Sequence, residues 1–529
     1  MFNKNILKYF SFLLCLFLTS SIIFIFKPTK SEANKSDTNY KNSNIELQIL
    51  GINDFHGQIN TTKKISGIEM GRADYLAANL EKRVSENKNT LMVHAGDIVG
   101  ASAPVSALLN DNPTLEILSE IGFDIGTVGN HEFDKGTDEM LKLTKNSSSF
   151  PYTVSNVVYK NTNKTILSPY IIKRVKGIPI GFIGVVLKDT PNMVTAEGIS
   201  NVNFLDEIDS INKYTKKLKK LGVKTIVILA HVPGYQNNTT GEITGEIAEI
   251  ANSIDDEVDV IFAGHNHDKI NGEVDGKLIV ETYSNGTAFS DVDLSINPRT
   301  NDVVSKKAEI IDNVQTNIIP DEKITKMIEK YEIEVGPILN EVIGTASIDI
   351  TTNQNSSGES TLGNFITDAQ RIRMDTDFSF MNPGGIRANI EKGEVTWGEL
   401  FTVQPFNNYL VKMTLTGEDI RTLLNQQWQE KQTRMLQISG LKYTWDSTKP
   451  KGEKVIDIFT YDGVKLDSTK EYTITTNSFL AGGGDEFSLF TQIDNHQIGP
   501  LDIDVLVDYI KDLGNPFESK IDGRILKIN

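Results

Sequence analysis

Five apolar, strand-like runs in this chain each stop at a residue able to ligate a metal, and that repetition constrains the fold most. Ile45–Ile52 ends in Asn53-Asp54-Phe55-His56, Thr90–Ala95 in Gly96-Asp97, and Asp124–Val128 in Gly129-Asn130-His131-Glu132. Thr225–Leu229 ends in Ala230-His231, and Val258–Ala263 in Gly264-His265-Asn266-His267. Strands of one sheet running in the same sense would bring these ends to one edge, where ligands bind in open α/β sheets. The gathered donors are oxygen and nitrogen with no thiolate. That set suits two divalent transition metals rather than a structural Cys-type zinc site.

A two-metal site for phosphoester chemistry needs oxygen and imidazole ligands for each ion and a carboxylate able to bridge them. Ions about 3.5–4 Å apart can then lower the pKa of a water and hold a phosphate for in-line attack. The expected assignment is Asp54, His56, Asp97 and His267 on the first ion, and Asp97, Asn130, His231 and His265 on the second, with Asp97 bridging. Each fragment alone is weak; their order and shared placement at strand ends carry the reading. Five of the seven histidines fall in these motifs, leaving His94 as a buried strand residue and His496 as a surface residue. Asp134 stands three positions after His131. A carboxylate accepting from one imidazole nitrogen fixes the tautomer and raises basicity. His131 is therefore expected beside the phosphate or leaving-group oxygen as stabiliser or proton donor. The alternatives are His131 as a third ligand of the second ion, and Asp134 as the N-cap of a helix over Thr137–Lys145.

A chain of 529 residues exceeds one ordinary core and implies two or more domains. Lys4 and Lys8 precede an apolar stretch from Tyr9 to Phe26, and Ser31 and Ala33 offer a small-x-small cleavage site. This is the layout of a signal peptide over residues 1–33, cleaved after Ala33, and it predicts a secreted or cell-surface protein. The alternative is a retained N-terminal membrane anchor. Leu13-Leu14 before Cys15 argues against a lipoprotein signal, and with Cys15 the only cysteine the body has no thiol chemistry. Formal net charge is −17 and the first 33 residues carry +3, which leaves −20 for the body. So acidic a body argues against nucleic acid as a main partner. A phosphate site must then draw its positive charge from metals or arginines.

Residues 34–44 form a polar spacer. From 45 to 319 strands alternate with helices, the mark of an α/β layered domain. Helices are expected over Arg72–Glu86, Pro104–Leu109 and Ile208–Leu221, and Gly276–Pro298 is more β-rich. Residues 320–340 read as a charged amphipathic helix with Ile324, Met327, Ile328 and Tyr331 at helical spacing. It is expected to bridge two domains, or else to be a surface helix of the first. A second domain, mixing strands and helices less regularly, occupies 341–529.

The run Asn-Asp-Phe-His-Gly, Gly-Asp, Gly-Asn-His-Glu-Phe-Asp, His and Gly-His-x-His resembles the calcineurin-like metallophosphoesterases. Asn382-Pro-Gly-Gly-Ile-Arg387, Gln404-Pro-Phe406-Asn-Asn408 and Phe479-Leu-Ala-Gly-Gly-Gly-Asp485 resemble the C-terminal domain of 5′-nucleotidases. The resemblance covers nearly the whole chain after residue 44. It implies a four-layer α/β/β/α catalytic domain, a helical bridge, and an α+β substrate-binding domain that rotates between open and closed forms. It also implies that Asn382, Arg387, Phe406, Asn408, Phe479 and Asp485 hold the nucleoside or its phosphate. The chemistry agrees. Two aromatics can sandwich any base, Asp485 can accept from ribose hydroxyls, and Arg387 can grip phosphate oxygens in two places.

A second phosphate cation is expected from a helix over Thr361–Arg373. Leu362, Phe365, Ile366 and Ala369 form its apolar face; Arg373 falls on that face and Arg371 nearly opposite. An inward cation needs a partner, which assigns Arg373 to the site and Arg371 to solvent. The family often has a further Arg where Asn364 stands, so the grip here differs.

These readings converge on a secreted 5′-nucleotidase using two divalent ions (Zn, Mn or similar) to hydrolyse nucleoside 5′-monophosphates. The alternatives are a 2′,3′-cyclic-nucleotide phosphodiesterase with 3′-nucleotidase activity, a nucleotide pyrophosphatase, or a non-catalytic nucleotide-binding surface protein. A complete metal set with His131 and Asp134 argues against the last.

Overall fold

Side chains that alternate between two apolar faces build the first half. Strand β1 (Ile45–Ile52) sends Leu47 and Ile49 to one side and Leu50 and Ile52 to the other. Helix α1 (Ala73–Glu86), β2 (Thr90–His94), α2 (Asn112–Ile121) and β3 (Ile125–Gly126) follow. Next come β4 (Ile171–Val175), β5 (Ile178–Val186), α3 (Glu207–Lys220), β6 (Thr225–His231), α4 (Glu246–Ser253) and β7 (Val258–Phe262). Strands β8 (Lys269–Val274), β9 (Lys277–Thr282), β10 (Ala288–Ile296) and β11 (Val303–Asp312) complete this half. This computed structural model describes residues 43–493 and 495–529. The expected signal peptide and most of the spacer lie outside the described residues. Among the described residues, no helix is long and apolar enough to cross a membrane.

Two sheets result, in the orders β11-β10-β1-β2-β3 and β8-β9-β7-β6-β5-β4. Strands β1, β2 and β3 are parallel, as are β5, β6, β7 and β9. Leu47, Ile49 and Val93 of the first sheet meet Phe182, Val227 and Leu229 of the second in a core between them. On the outer face of the first sheet, Leu50 and Ile52 pack with Leu76, Leu80 and Leu118 from α1 and α2. On the outer face of the second, Ile183, Ile226 and Ile228 pack with Ile211, Leu218 and Ile247 from α3 and α4. The layers run helix, sheet, sheet, helix, which is the expected α/β/β/α order.

The placement of all five ligand-bearing strand ends on one sheet is corrected. β1, β2 and β3 belong to one sheet, β6 and β7 to the other. Strands buried on both faces read as continuous apolar runs, and such a run does not say which of two stacked sheets it joins. The ends still meet, across the stack: His265 N–H donates to Asp54 Oδ2 at 3.0 Å, and His231 Nδ1–H to the Ala95 carbonyl at 2.9 Å.

Helix α5 (Glu322–Leu339) starts at Asp321, whose Oδ1 accepts from Ile324 N–H at 2.8 Å. Ile324, Ile328, Tyr331 and Val335 are buried in the same core as α1 and α2. Its last residue, Leu339, lies against Gly398 of the second half. The helix is thus part of the first half's core and also touches the second.

The second half is built on a sheet of β12 (Phe378–Met381), β13 (Tyr409–Thr416), β14 (Gln437–Ser439), β15 (Glu471–Asn477) and β16 (Gln497–Leu501). The order is β14-β12-β15-β13-β16, with only β12 and β15 parallel. Helix α6 (Thr361–Met374) packs on β12 and β14, and α7 (Asp502–Leu513) packs on α6.

Candidate metal centre and adjoining pocket

The loops after β1, β2, β3, β6 and β7 converge on two groups of possible ligands, Asp54 with His56 and His267, and Asp97 with His231 and His265. Backbone carbonyls fix the ring orientation: His56 Nδ1–H donates to Gly100 O at 2.8 Å, and His231 Nδ1–H to Ala95 O. The Nε2 atoms of both rings therefore face inward. There His56 Nε2 lies 3.2 Å from His267 Nε2, and His231 Nε2 lies 3.2 Å from Asn130 Oδ1 and 3.1 Å from Asp97 Oδ2. A divalent ion would satisfy these closely gathered nitrogen and oxygen donors together, so the residues present fit bound divalent ions. Asp97 Oδ2 is also 4.0 Å from His56 Nε2, which sets this carboxylate between the two groups. His265 Nδ1 is 2.9 Å from Asn130 Oδ1. All seven expected ligands are therefore together.

Electrostatics point the same way. Burial alone would raise the Asp97 carboxyl, but His231 and His131 outweigh it and hold Asp97 well below the usual carboxylate range. Burial lowers His231, yet Asp97 and Asp54 overcome this and raise the imidazole to about 10. Burial holds His56 at about 3 and His265 at about 4, neutral and ready to ligate. The backbone is strained to achieve this. Asp54, His56, Asp97, His265 and His267 have φ between 48° and 91°, at a cost of about 1–3 kcal/mol each.

Glu132 holds the loops that carry this strain. Its carboxylate accepts from the backbone N–H groups of Asp97 (2.9 Å), Ile98 (2.8 Å), Val99 (3.2 Å) and Gly129 (2.5 Å). The sequence marked Glu132 only as part of a motif. His131 Nδ1–H donates to Asp134 Oδ2 at 2.8 Å, while Gly136, not Asp134, begins the helix over Thr137–Asn146. Burial lowers His131, but Asp134 and Asp97 prevail and raise it to about 9.

The adjoining pocket is bordered by Asn130, His131, Asp134 and His265 on the metal side. The second half supplies Asn382, Arg387, Phe406, Asn408, Phe479 and Asp485, and the first half adds Met193–Thr195. The Phe406 ring stacks on His131 with centroids 5.8 Å apart and planes at 16°, and the Arg387 guanidinium lies 6.0 Å over the same ring. A Cβ at Gly484 would stand 2.5 Å from the Phe479 ring, so the glycine lets the loop lie flat on that aromatic. Asn382 Nδ2–H donates to Asp485 Oδ2 at 2.8 Å.

Arg373 is a correction. It is 54% exposed and pairs at 3.7 Å with Asp508, away from the pocket. Helix α6 outruns its core: Ala369 is buried, whereas Ile372 is exposed and the last turn carries cations, where the helix dipole favours them. Arg371 also differs from expectation, since its Nε–H donates to Ser439 Oγ at 2.8 Å. Asn364 is buried on Glu359 and the Lys520 carbonyl. The second arginine on the pocket is instead Arg434, whose Nε lies 3.2 Å from Asp485 Oδ1. It follows a polar run with no periodicity, so nothing local flags it.

Residues 47–269 match the family model for calcineurin-like phosphoesterases, and residues 342–492 that for the 5′-nucleotidase C-terminal domain. The chain is 42% identical to endonuclease YhcR of Bacillus subtilis (strain 168), over 91% of its own length but 41% of that protein's. It is 39% identical to cell wall protein Lmo0130 of Listeria monocytogenes, over 88% of its own length and 67% of that protein's. Among solved structures it matches the 5′-nucleotidase precursor of Thermus thermophilus at TM-score 0.78 and 26% identity, over 92% of this chain and all of that one. Fold and site together define a metal-dependent phosphoesterase with two candidate metal sites. The chain belongs to the 5′-nucleotidase family, with a calcineurin-like phosphoesterase half followed by a 5′-nucleotidase C-terminal half.

A Cβ at position 129 would stand 2.2 Å from Asp97 Oδ1. Gly129→Ala should therefore push Asp97 off its position and weaken metal binding roughly 10–100-fold. Metal titration checks this; unchanged affinity in a folded variant would contradict the role given to Asp97.

Proposed function

We propose that this chain is an exported 5′-nucleotidase that hydrolyses nucleoside 5′-monophosphates to nucleoside and phosphate. One observation supports the reading most: Asn130, His131 and His265 border the same pocket as Phe406, Phe479 and Asp485. A flat base, a ribose and a phosphate would each find complementary groups there. Export is supported by the layout of residues 1–33 and by the likeness to a cell wall protein. In this reading 45–319 is the catalytic domain, 320–340 the bridging helix and 341–529 the substrate-recognition domain.

Asp54, His56, Asp97 and His267 would hold one ion, and Asp97, Asn130, His231 and His265 would hold the other. When bound, the pair supplies Lewis-acid charge to the phosphoryl oxygens and lowers the pKa of water. Arg387 binds the phosphate and orients it. Phe406 and Phe479 stack the base, and Asn382, Asn408 and Asp485 hold the sugar. His131, oriented by Asp134 through Nδ1, offers a proton at Nε2 to O5′ and stabilises the charge that develops as it leaves.

The test is phosphate release from AMP, 3′-AMP and 2′,3′-cyclic AMP with added Mn²⁺ or Zn²⁺. Preference for AMP is expected; preference for 3′-AMP and the cyclic substrate would overturn the reading. His131→Ala should lower kcat by about 10²–10⁴ while both ions remain bound. Loss of both ions in that variant would make His131 a ligand instead.

A further inference from the structure

Arg434 is a pocket cation that phosphate binding does not account for. Arg387 sits beside His131, against Phe406, whereas Arg434 sits beside Asp485. A pocket arginine ordinarily grips an anion of the ligand, but this guanidinium is already engaged. Its Nε is 3.2 Å from Asp485 Oδ1 and its Nη1–H donates to Gln429 Oε1 at 2.5 Å. The side chain is only 18% exposed.

The loop it holds needs holding. Asp485 and Glu486 have φ of 54° and 62°, left-handed values that side chains other than glycine seldom adopt. Gln429 Nε2–H donates to the Asp485 backbone carbonyl. The turn carrying Gln429 and Arg434 is itself closed, with Gln429 N–H donating to Gln432 O at 3.0 Å and Arg434 N–H to Gln427 O at 2.8 Å. On the other side, Asn382 Nδ2–H donates to Asp485 Oδ2, and Asn477 Nδ2–H fixes Asn382 Oδ1 at 3.0 Å.

Among the described residues each carboxylate oxygen of Asp485 thus has one partner, Arg434 for Oδ1 and Asn382 for Oδ2. A carboxylate has about four acceptor positions, so both oxygens keep capacity for a ligand donor. Two adjacent acceptors in a fixed plane match the two hydroxyls of a vicinal diol. We propose that Arg434 is a positioning residue that sets Asp485 to accept both hydroxyls of a ribose cis-diol, making the site select ribonucleotides over their deoxy analogues. The inference rests on the nucleotidase reading above and adds its sugar specificity.

The test compares kcat and KM for AMP, 2′-deoxy-AMP and 2′,3′-dideoxy-AMP in the full-length, metal-loaded protein. Wild type should favour AMP over the dideoxy substrate by at least about tenfold in kcat/KM, mostly through KM, because a site built for hydroxyls rejects a ligand lacking them. Arg434→Met should cut that ratio to below about threefold by raising KM for AMP, with Arg434→Lys in between. Lys431→Ala is the control: it lies in the same turn, pairs with Glu246 at 2.5 Å rather than with Asp485, and should keep the wild-type ratio. If Arg434→Met does not fold, Arg434→Lys and Gln429→Ala are read by the same criterion. No sugar preference in wild type, or an equal loss on all three substrates in the variants, would overturn the role of Arg434 alone. A wild type inactive on AMP would overturn it together with the nucleotidase reading.

Discussion

Two buried carboxylates govern the first half. Asp54 and Asp97 are 0% and 1% exposed, and ionised groups removed from water cost several kcal/mol each unless paired. The fold offsets this with imidazoles and backbone N–H groups brought from two sheets. Asp97 Oδ1 accepts from His131 N–H at 2.9 Å, and Asn53 Nδ2–H donates to Asp54 Oδ2 at 2.7 Å. The same negative charge that raises His231 to about 10 is the charge that would draw divalent ions. The four layers act as a frame that pushes these strand ends together, and the left-handed backbone at five proposed ligand positions records the cost of that convergence.

The second half is proposed to add selectivity to this charge. Phe406 lies against His131, so a base stacked there, as proposed, would stand next to the proposed chemistry. Lys431 reaches Glu246 of the first half from the turn that also presents Arg434 to Asp485. One short turn therefore contacts both the facing half and the group proposed to read the sugar.

Much of this was legible because it is written in short repeats. The ligand at the end of each apolar run is a local signal, and β1 and β7 begin where the pattern places them. Helix α5 was visible from its spacing. What failed was long-range. The assignment of strand ends to one sheet failed because a run buried on both faces carries no label for its neighbours. Arg373 failed because an amphipathic face was extended one turn past the core, to a point where Asp508 and solvent take over. Arg434 and Glu132 were missed because their meaning lies in partners: a distant carboxylate for one, and four backbone N–H groups for the other.

The central claim is that seven side chains from Asp54 to His267 form one centre for two ions. Metal content per chain, measured by elemental analysis after dialysis of protein purified with Mn²⁺ or Zn²⁺, tests it most directly. Two ions per chain are expected, falling to one or fewer in Asp97→Ala. One ion or none in the wild type, or two retained without Asp97, would contradict the account.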